Sequence, residues 1–179
     1  MDKRELRKEM RQIKRHFTQH ELREMALPVC ETILSHPRVK AAGTILAYHS
    51  LSDEVDMTAV LQHLLAMGKC VLLPRIISDT EMSIHRYTGE QDLVAEKVYG
   101  IMEPCGEPFA DYSSINLALI PGMAFDCKHH RLGRGKGYYD RFLAMCPNIY
   151  KVGVCFPFQL LDCIPYDEHD ILMDEIICE

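Results

Sequence analysis

Apolar residues recur at helical spacing near the start of the chain. They form one stripe, which consists of Leu6, Met10, Ile13 and Phe17. Lysine and arginine crowd the other positions, so the spacing predicts an amphipathic helix over residues 3–17. The tetrapeptide TQHE at 18–21 has the form of a capping box and predicts the start of a second helix. Because Pro28 falls within this second helix, we expect a kink or a restart there.

Short apolar runs further along the chain predict β-strands. The predicted strands cover 44–48, 70–74, 115–120, 151–156 and 175–178, with an edge strand at 82–87. A helix is expected from Met57 to Gly68, and another from about Tyr138. Residues 88–114 and the glycine-rich stretch up to Gly137 are expected to be irregular. Strands that alternate with helices in this way predict a three-layer α/β/α sandwich with a mostly parallel sheet.

The length and composition are those of an ordinary globular chain. Its 179 residues predict one compact domain over 1–179, large enough to bury its own hydrophobic core. The longest uncharged apolar stretch, 113–125, is shorter than a membrane-spanning helix, and the polar N-terminus does not resemble a secretory signal. Eight cysteines without a C-x-x-C pair are expected to be buried thiols in a reducing cytoplasm, rather than disulfides or a zinc site.

The charge is negative overall but unevenly distributed. The net charge of −6 argues against bulk nucleic-acid binding. Residues 1–23, however, hold 8 Lys or Arg against 4 Asp or Glu, and we call them the first basic island. The second basic island consists of Lys128, Arg131, Arg134, Lys136 and Arg141. The charge distribution therefore raises the question of what two basic islands do in an acidic protein.

The second basic island contains the densest chemical signal, the sequence RLGRGKGYYD at 131–140. Its alternating glycines allow the backbone to approach a ligand, and its cations and the following helix N-terminus attract anions. The loop also follows the carboxyl end of a predicted parallel strand, where open α/β sheets bind ligands. It matches neither the Walker A loop nor the G-x-G-x-x-G fingerprint. The composition favours a polyphosphate cradle, and the alternative is a solvated basic turn.

Carboxylates near this loop are candidates for holding Mg²⁺ beside a polyphosphate. Asp140 closes the motif, and Asp170 lies in a second acidic segment. Each carboxylate, taken alone, would also suit a helix first turn or a solvated acidic turn. Glu54 follows the first predicted strand, where a carboxylate can recognise a ligand by hydrogen bonding. A lone acid at such a position is, however, more often on the surface.

Five further residues are weaker candidates for ligand binding. Lys3 and Arg7 lie one helical turn apart and can grip an anion together, or simply be solvated. His49 stands near the end of the first strand, where a histidine is more often packed in the core or at its rim. Tyr138 and Tyr139 can stack on a planar ligand or pack in the core.

The loop sequence closely resembles the signature of the 5-formyltetrahydrofolate cyclo-ligase family, also called methenyltetrahydrofolate synthetases. Weaker resemblances follow in the family's order along nearly the whole chain. They are KRELR at 3–7, DEVD at 53–56, GIMEP at 100–104, PGMAFD at 121–126, and Asp170 with MDE at 173–175. The stretch CKHH at 127–130 and Pro28 depart from the family pattern.

The resemblance implies a fold and a reaction. The fold is a single α/β domain related to ribose-5-phosphate isomerase and the CoA-transferases. The reaction uses ATP and Mg²⁺ to convert 5-formyltetrahydrofolate to 5,10-methenyltetrahydrofolate, ADP and phosphate. The implied enzyme is a cytoplasmic monomer that acts on small molecules, without nucleic-acid or membrane partners. A sugar-phosphate isomerase or an acyl-CoA transferase on a related fold is the alternative.

The resemblance also implies roles for individual residues. ATP would be bound by Lys3, Arg7, Arg131, Leu132, Gly133, Arg134, Gly135, Lys136, Gly137, Tyr138 and Tyr139. Arg134 and Lys136 would offset charge on the γ-phosphate during catalysis. The folate would contact His49, Glu54, Tyr138 and Tyr139, with Glu54 accepting hydrogen bonds from the pterin. Asp140 and Asp170 would hold Mg²⁺.

Overall fold

The computed structural model describes residues 1–95 and 102–179. The helices of these residues are α1 (Lys3–Lys14), α2 (Gln19–Ser35), α3 (Pro37–Ala41), α4 (Thr58–Ala66) and α5 (Tyr138–Met145). The strands are β1 (Thr44–Leu46), β2 (Cys70–Ile76), β3 (Met82–Tyr87), β4 (Leu93–Ala95), β5 (Met102–Pro104), β6 (Leu117–Pro121), β7 (Ala124–Asp126), β8 (Arg131–Leu132), β9 (Tyr150–Val154), β10 (Leu160–Leu161) and β11 (Glu175–Ile177).

A six-stranded sheet forms the centre of the fold, with the strand order β11-β9-β6-β1-β2-β3. All neighbouring strands are parallel except β3, which pairs antiparallel with β2 at one edge. Ile45 of β1 lies opposite Val71 on one side and Leu117 on the other. The prediction of an α/β fold with a mostly parallel sheet and an edge strand at 82–87 is therefore confirmed.

Alternate residues of the sheet pack against helices on opposite faces, which produces the three layers. Ile45 belongs to the hydrophobic cluster that contains α2, α3 and α4, whereas its neighbour Leu46 belongs to the cluster that contains α5. The same alternation separates Leu117 from Ala118 along β6. Strands buried on both faces explain why the sequence shows continuous apolar runs rather than alternation.

The N-terminal helix packs away from the central sheet, against a small sheet of β10, β7 and β8. Leu6 and Met10, from the predicted apolar stripe, share a third cluster with Met123, Ala124 and Leu132. Leu132 directly precedes the glycine-rich part of the 131–140 loop. The apolar stripe of α1 therefore brings the first basic island to the second.

Reciprocal capping boxes fix the starts of the first two helices. The Asp2 side chain accepts hydrogen bonds from the backbone of α1, and Thr18 and Glu21 form the predicted box at the start of α2. The expected restart at Pro28 does not occur, because α2 is continuous through it. Pro28 is exposed, so the carbonyl oxygen that loses its backbone donor can be hydrated instead.

Two stretches expected to be irregular contain short strands. Residues 88–114 include β4 and β5, which pair antiparallel, and the stretch before Gly137 includes β7 and β8. These strands are too short for sequence periodicity to reveal them. Gly100 and Ile101 of the GIMEP segment lie outside the described residues.

The expectation of buried cysteines is mostly wrong. All eight cysteines are free, but only Cys146 and Cys155 are buried. Cys105, Cys127 and Cys163 are exposed, because they lie in connections outside the sheet rather than in apolar strands. Among the described residues, no group of three or more His, Cys, Asp or Glu side chains is arranged to hold a metal ion. No helix within 1–95 and 102–179 combines the length and apolar character needed to cross a membrane.

Candidate active site

A cleft of about 900 Å³ lies at the carboxyl ends of the parallel strands. Its walls come from α1, the segment after β1, the tip of β2, the 131–140 loop with the start of α5, and residues 167–171. Every candidate site residue from the sequence lines this one cleft. Residues separated by more than a hundred positions, such as Lys3 and Lys136, therefore share one cavity.

The 131–140 loop owes its shape to its glycines. Gly135 and Gly137 have φ angles of 108° and 69°, in the left-handed region that favours glycine. The α5 helix begins directly after Gly137, which supplies no side-chain cap. The backbone N–H groups of its first turn are therefore available to an anion in the cleft, together with the positive end of the helix dipole.

The first basic island meets the loop through two side chains of α1. Arg7 Nε donates to the carbonyl oxygen of Gly133 at 2.8 Å, and its guanidinium lies against Gly135. Lys3 Nζ pairs with Asp167 and Asp170, at 2.6 and 2.5 Å from their Oδ2 atoms. Partial burial opposes the charge on Lys3, but the hydrogen bonds that it donates to the two carboxylates raise its pKa overall.

Arg134 and Glu54, which the resemblance assigns to different substrates, are paired with each other. Arg134 Nη2 lies 2.9 Å from Glu54 Oε1 and 2.6 Å from Asp53 Oδ1. Desolvation opposes the charge on Arg134, yet Glu54 and then Asp53 raise its pKa. Glu54 is held from the other side by Leu51, whose backbone N–H donates to Oε2 at 3.0 Å.

The tip of the β2–β3 hairpin closes over the far end of the loop. Lys136 Nζ lies 2.9 Å from Asp79 Oδ1, and Tyr138 Oη donates to the carbonyl oxygen of Ser78 at 3.0 Å. Arg141 Nε donates to the carbonyl oxygen of Thr80 at 2.7 Å. Both side chains of the Lys136–Asp79 pair are well exposed, so this pair adds little to stability.

Arg131 forms the floor of the cleft and is almost fully buried. Its Nη2 lies 3.0 Å from Asp140 Oδ2, and its Nη1 donates to the carbonyl oxygen of Pro121 at 3.3 Å. Its Nε is buried and has no hydrogen-bond partner among the described residues. The guanidinium also lies over the Tyr139 ring, 5.3 Å from its centroid. Burial raises the pKa of Tyr139 far above its usual range, with Glu54 contributing, so its hydroxyl stays protonated.

The family model described as the 5-formyltetrahydrofolate cyclo-ligase family matches residues 1–179, the whole chain. This chain belongs to the 5-formyltetrahydrofolate cyclo-ligase family. The mouse 5-formyltetrahydrofolate cyclo-ligase is 29% identical over 99% of this chain and 93% of its own length. The Mycolicibacterium smegmatis 5-formyltetrahydrofolate cyclo-ligase is 32% identical over 78% of this chain and 75% of its own.

Solved structures described as 5,10-methenyltetrahydrofolate synthetases share the fold. The Aquifex aeolicus protein superposes with a TM-score of 0.85 at 33% identity, covering 99% of this chain and 90% of that one. The Mycoplasma pneumoniae protein superposes with a TM-score of 0.78 at 26% identity, covering 99% and 98%. The resemblance drawn from the sequence motifs is thus confirmed at the level of family and fold.

The two carboxylates expected to hold Mg²⁺ are chemically suited to it in this cyclo-ligase fold. Asp140 accepts hydrogen bonds on both oxygens, from Arg131 and from the Ile171 backbone. Asp170 uses Oδ2 for Lys3 and for the backbone of Asp167, and Oδ1 accepts no hydrogen bond from the described residues. Mg²⁺ commonly takes one or two carboxylates plus phosphate oxygens and waters. The Ile171 N–H group that donates to Asp140 belongs to the residue after Asp170, so the two carboxylates are neighbours in the cleft and suit such an ion.

Sequence reasoning missed several residues that shape the cleft. Asp167 shares Lys3 with Asp170, and Glu103, in the family-like GIMEP segment, lines the cleft and lies 3.4 Å from Arg75. Asp53, which pairs with Lys14, holds Arg134 from outside the cleft. Lys14 lies on the face of α1 that carries Lys3 and Arg7, and this helical spacing was the sequence signal that could have identified it. No sequence pattern indicated that the tip of the β2–β3 hairpin would contact Lys136.

The departure at 127–130 is explained by a turn around the buried Asp126. The buried Asp126 carboxylate accepts hydrogen bonds from the backbone of Lys128, His130 and Ile164, and pairs with His130 Nδ1 at 3.0 Å. The His130 ring stacks on Tyr166. This segment is a tight turn that anchors the entry to the 131–140 loop.

Proposed function

We propose that this chain is an ATP- and Mg²⁺-dependent 5-formyltetrahydrofolate cyclo-ligase that forms 5,10-methenyltetrahydrofolate, ADP and phosphate. One observation carries the proposal: a single cleft is lined by cations from both basic islands, by an uncapped helix N-terminus and by Glu54. The cations and the helix N-terminus suit a triphosphate. Glu54 suits the N–H donors of a pterin. Membership of the cyclo-ligase family supports the same assignment.

The proposed chemistry starts from a formamide, whose oxygen is a poor leaving group. That oxygen attacks the γ-phosphorus of ATP, the bond to the bridging oxygen breaks, and ADP leaves with the electron pair. Nitrogen 10 of the folate then attacks the electrophilic iminium carbon and loses its proton. Phosphate departs with the electrons of the carbon–oxygen bond, which leaves the methenyl cation.

The residues of the cleft would act by positioning reactants and stabilising charge. Lys3, Arg7 and the backbone of 131–139 would hold the nucleotide, with Arg134 and Lys136 nearest the transferring phosphoryl group. His49, Glu54, Tyr138 and Tyr139 would line the folate side. Asp140 and Asp170 would hold Mg²⁺, which when bound draws charge from the phosphate oxygens. A cytoplasmic, monomeric enzyme without nucleic-acid partners remains the expectation from the sequence.

The test is direct. Mixing the protein with 5-formyltetrahydrofolate, ATP and Mg²⁺ should produce the absorbance of the methenyl product, and omitting ATP should abolish it. The same mixture without the protein serves as the negative control. Absence of turnover with every formylated folate tried, despite binding of ATP, would contradict the proposal. Absence of ATP binding by calorimetry would favour the sugar-phosphate isomerase or CoA-transferase alternative.

A further inference from the structure

Lys14 is a buried charge that does not line the cleft. It occupies the last turn of α1, and its side chain is 3% exposed. Burying an ammonium group is costly unless it is paired and hydrogen-bonded. Burial lowers the pKa of Lys14, although the nearby Asp53 partly offsets that effect. A charge held at this cost needs a structural or functional reason.

Lys14 donates hydrogen bonds to two atoms of a single residue, Asp53. Its Nζ donates to the Asp53 carbonyl oxygen at 2.6 Å and to Oδ2 at 3.2 Å. The other carboxylate oxygen, Oδ1, lies 2.6 Å from Nη2 of Arg134. One carboxylate therefore bridges a buried lysine and an arginine of the 131–140 loop. Partial burial would raise the pKa of Asp53, but Lys14 and Arg134 lower it overall, so the bridge stays ionised.

Arg134 needs such an anchor. It lies between Gly133 and Gly135 in a loop, and its side chain is 44% exposed. Of its two carboxylate partners, Glu54 lines the cleft, whereas Asp53 does not. A substrate that engages Glu54 therefore leaves the Asp53 contact intact. The bridge from Lys14 also fixes the backbone next to Glu54, through the Asp53 carbonyl.

We propose that Lys14 and Asp53 are positioning residues: Lys14 fixes Asp53, and Asp53 holds the Arg134 guanidinium at the cleft after Glu54 has turned to the folate. This inference rests on the proposed function. It adds a specific route by which a buried residue of the first basic island acts on the second. Neither Lys14 nor Asp53 contacts a substrate in this scheme.

The first test is Asp53→Asn, alone and combined with Arg134→Met. We expect Asp53→Asn to lower kcat/KM for ATP by about tenfold to a hundredfold, mainly through KM, because Arg134 loses its fixed orientation. In the Arg134→Met background the same change should have no further effect. If Asp53→Asn lowers kcat/KM by the same factor in both backgrounds, Asp53 does not act through Arg134 and the proposal is wrong.

The second test examines Lys14 by a readout that does not depend on turnover. In the wild-type protein the Arg134 Nη2 group, which donates to Asp53 Oδ1, should give an ordered signal in nitrogen-15 NMR spectra, and Lys14→Met should broaden or lose it. Lys14→Arg, which keeps the charge, should restore both the signal and the KM for ATP in part. Lys128→Ala is the matched control, because Lys128 is exposed and lies outside the cleft.

The outcomes separate this inference from the proposed function. A purely structural role for Lys14 would lower the melting temperature of Lys14→Met while leaving the Arg134 signal and the KM for ATP unchanged, which would overturn the inference. If Lys14→Met does not fold, Asp53→Asn still decides the question through the same signal. If the wild-type protein fails to convert 5-formyltetrahydrofolate, the proposed function fails, whereas the Arg134 signal still reports on the bridge.

Discussion

Lys136 tests, at the scale of a single residue, whether the 131–140 loop is catalytic or merely solvated. We expect Lys136→Ala to reduce turnover by orders of magnitude, because an ammonium group near the transferring phosphoryl group is lost. The melting temperature should change little, since Lys136 and its partner Asp79 are both well exposed. Activity assays and thermal melts of Lys136→Ala and of the control Lys128→Ala measure this. Near-wild-type turnover in Lys136→Ala would restore the solvated-turn interpretation.

Substitutions of the two carboxylates Asp140 and Asp170 test the metal site and are expected to differ in their effect on stability. Asp170→Asn and Asp140→Asn should each raise the Mg²⁺ concentration for half-maximal rate, by about tenfold or more. Asp140→Asn should also cost about 3–5 kcal/mol of unfolding free energy, because Arg131, with 4% of its side chain exposed, loses its charged partner. Asp170→Asn should cost less, since Lys3 keeps Asp167. Mg²⁺ titrations and urea denaturation distinguish these effects, and an unchanged Mg²⁺ titration would refute the metal role.

At the scale of elements, the small sheet of β10, β7 and β8 supports the loop through Asp126. This carboxylate is fully buried and accepts hydrogen bonds from the backbone of Lys128, His130 and Ile164. Burial would raise the pKa of Asp126, but these hydrogen bonds and His130 lower it overall. The turn at 127–130, the connection before Ile164 and the start of β8 therefore depend on one ionised side chain.

The lowered pKa of Asp126 fixes the direction of its pH dependence. Its contribution to stability is fully present above the unfolded-state pKa of about 4 and is lost as the pH falls through the lower folded-state pKa. Asp126→Asn should therefore lower the unfolding free energy by about 2 kcal/mol at neutral pH. The difference from wild type should shrink as the solution is acidified below pH 4. Urea denaturation across this range measures it, with the exposed Asp162→Asn as control; a difference that stays constant with pH would contradict the argument.

At the scale of the whole molecule, cations and carboxylates that line the cleft neutralise one another in pairs. Arg134 pairs with Glu54, Lys3 with Asp170 and Arg131 with Asp140, so residues assigned to different ligands are bound to one another. Under the proposed function, a triphosphate that attracted Arg134 would release Glu54 for the pterin, and a pterin that attracted Glu54 would release Arg134. Each substrate would then remove part of the cost of binding the other, which is positive coupling.

The coupling can be measured at equilibrium. A non-hydrolysable ATP analogue should bind about fivefold or more tightly when a folate substrate analogue is present. Glu54→Gln should act in opposite directions on the two ligands, because it removes both the pterin acceptor and the competitor for Arg134. It should weaken folate binding and strengthen nucleotide binding, as measured by calorimetry. Equal nucleotide affinity with and without the folate analogue would show that the Arg134–Glu54 pair does not link the two sites.

The sequence by itself determined the longer elements and the residue types that the loop presents. Continuous apolar runs mark strands buried on both faces, and the capping boxes mark helix starts, because these signals depend on near neighbours in the chain. The 131–140 motif and the order of the weaker motifs led to the cyclo-ligase family. The restart expected at Pro28 was wrong because the effect of a proline depends on which face of α2 meets solvent. The short strands β4, β5, β7 and β8 were not predicted because they span only two or three residues each.

Only the tertiary structure decided which charges meet. The stripe of Leu6 and Met10 packs on Leu132, and this contact brings Lys3, Arg7 and Lys14 beside a loop more than a hundred residues away. The pairing of Arg134 with Asp53 and Glu54, and the bridge to Lys14, follow from that packing. Ion pairs form between groups that the fold brings within a few ångströms, whatever their distance in sequence. The sequence therefore supplied two basic islands, and hydrophobic packing made them one site.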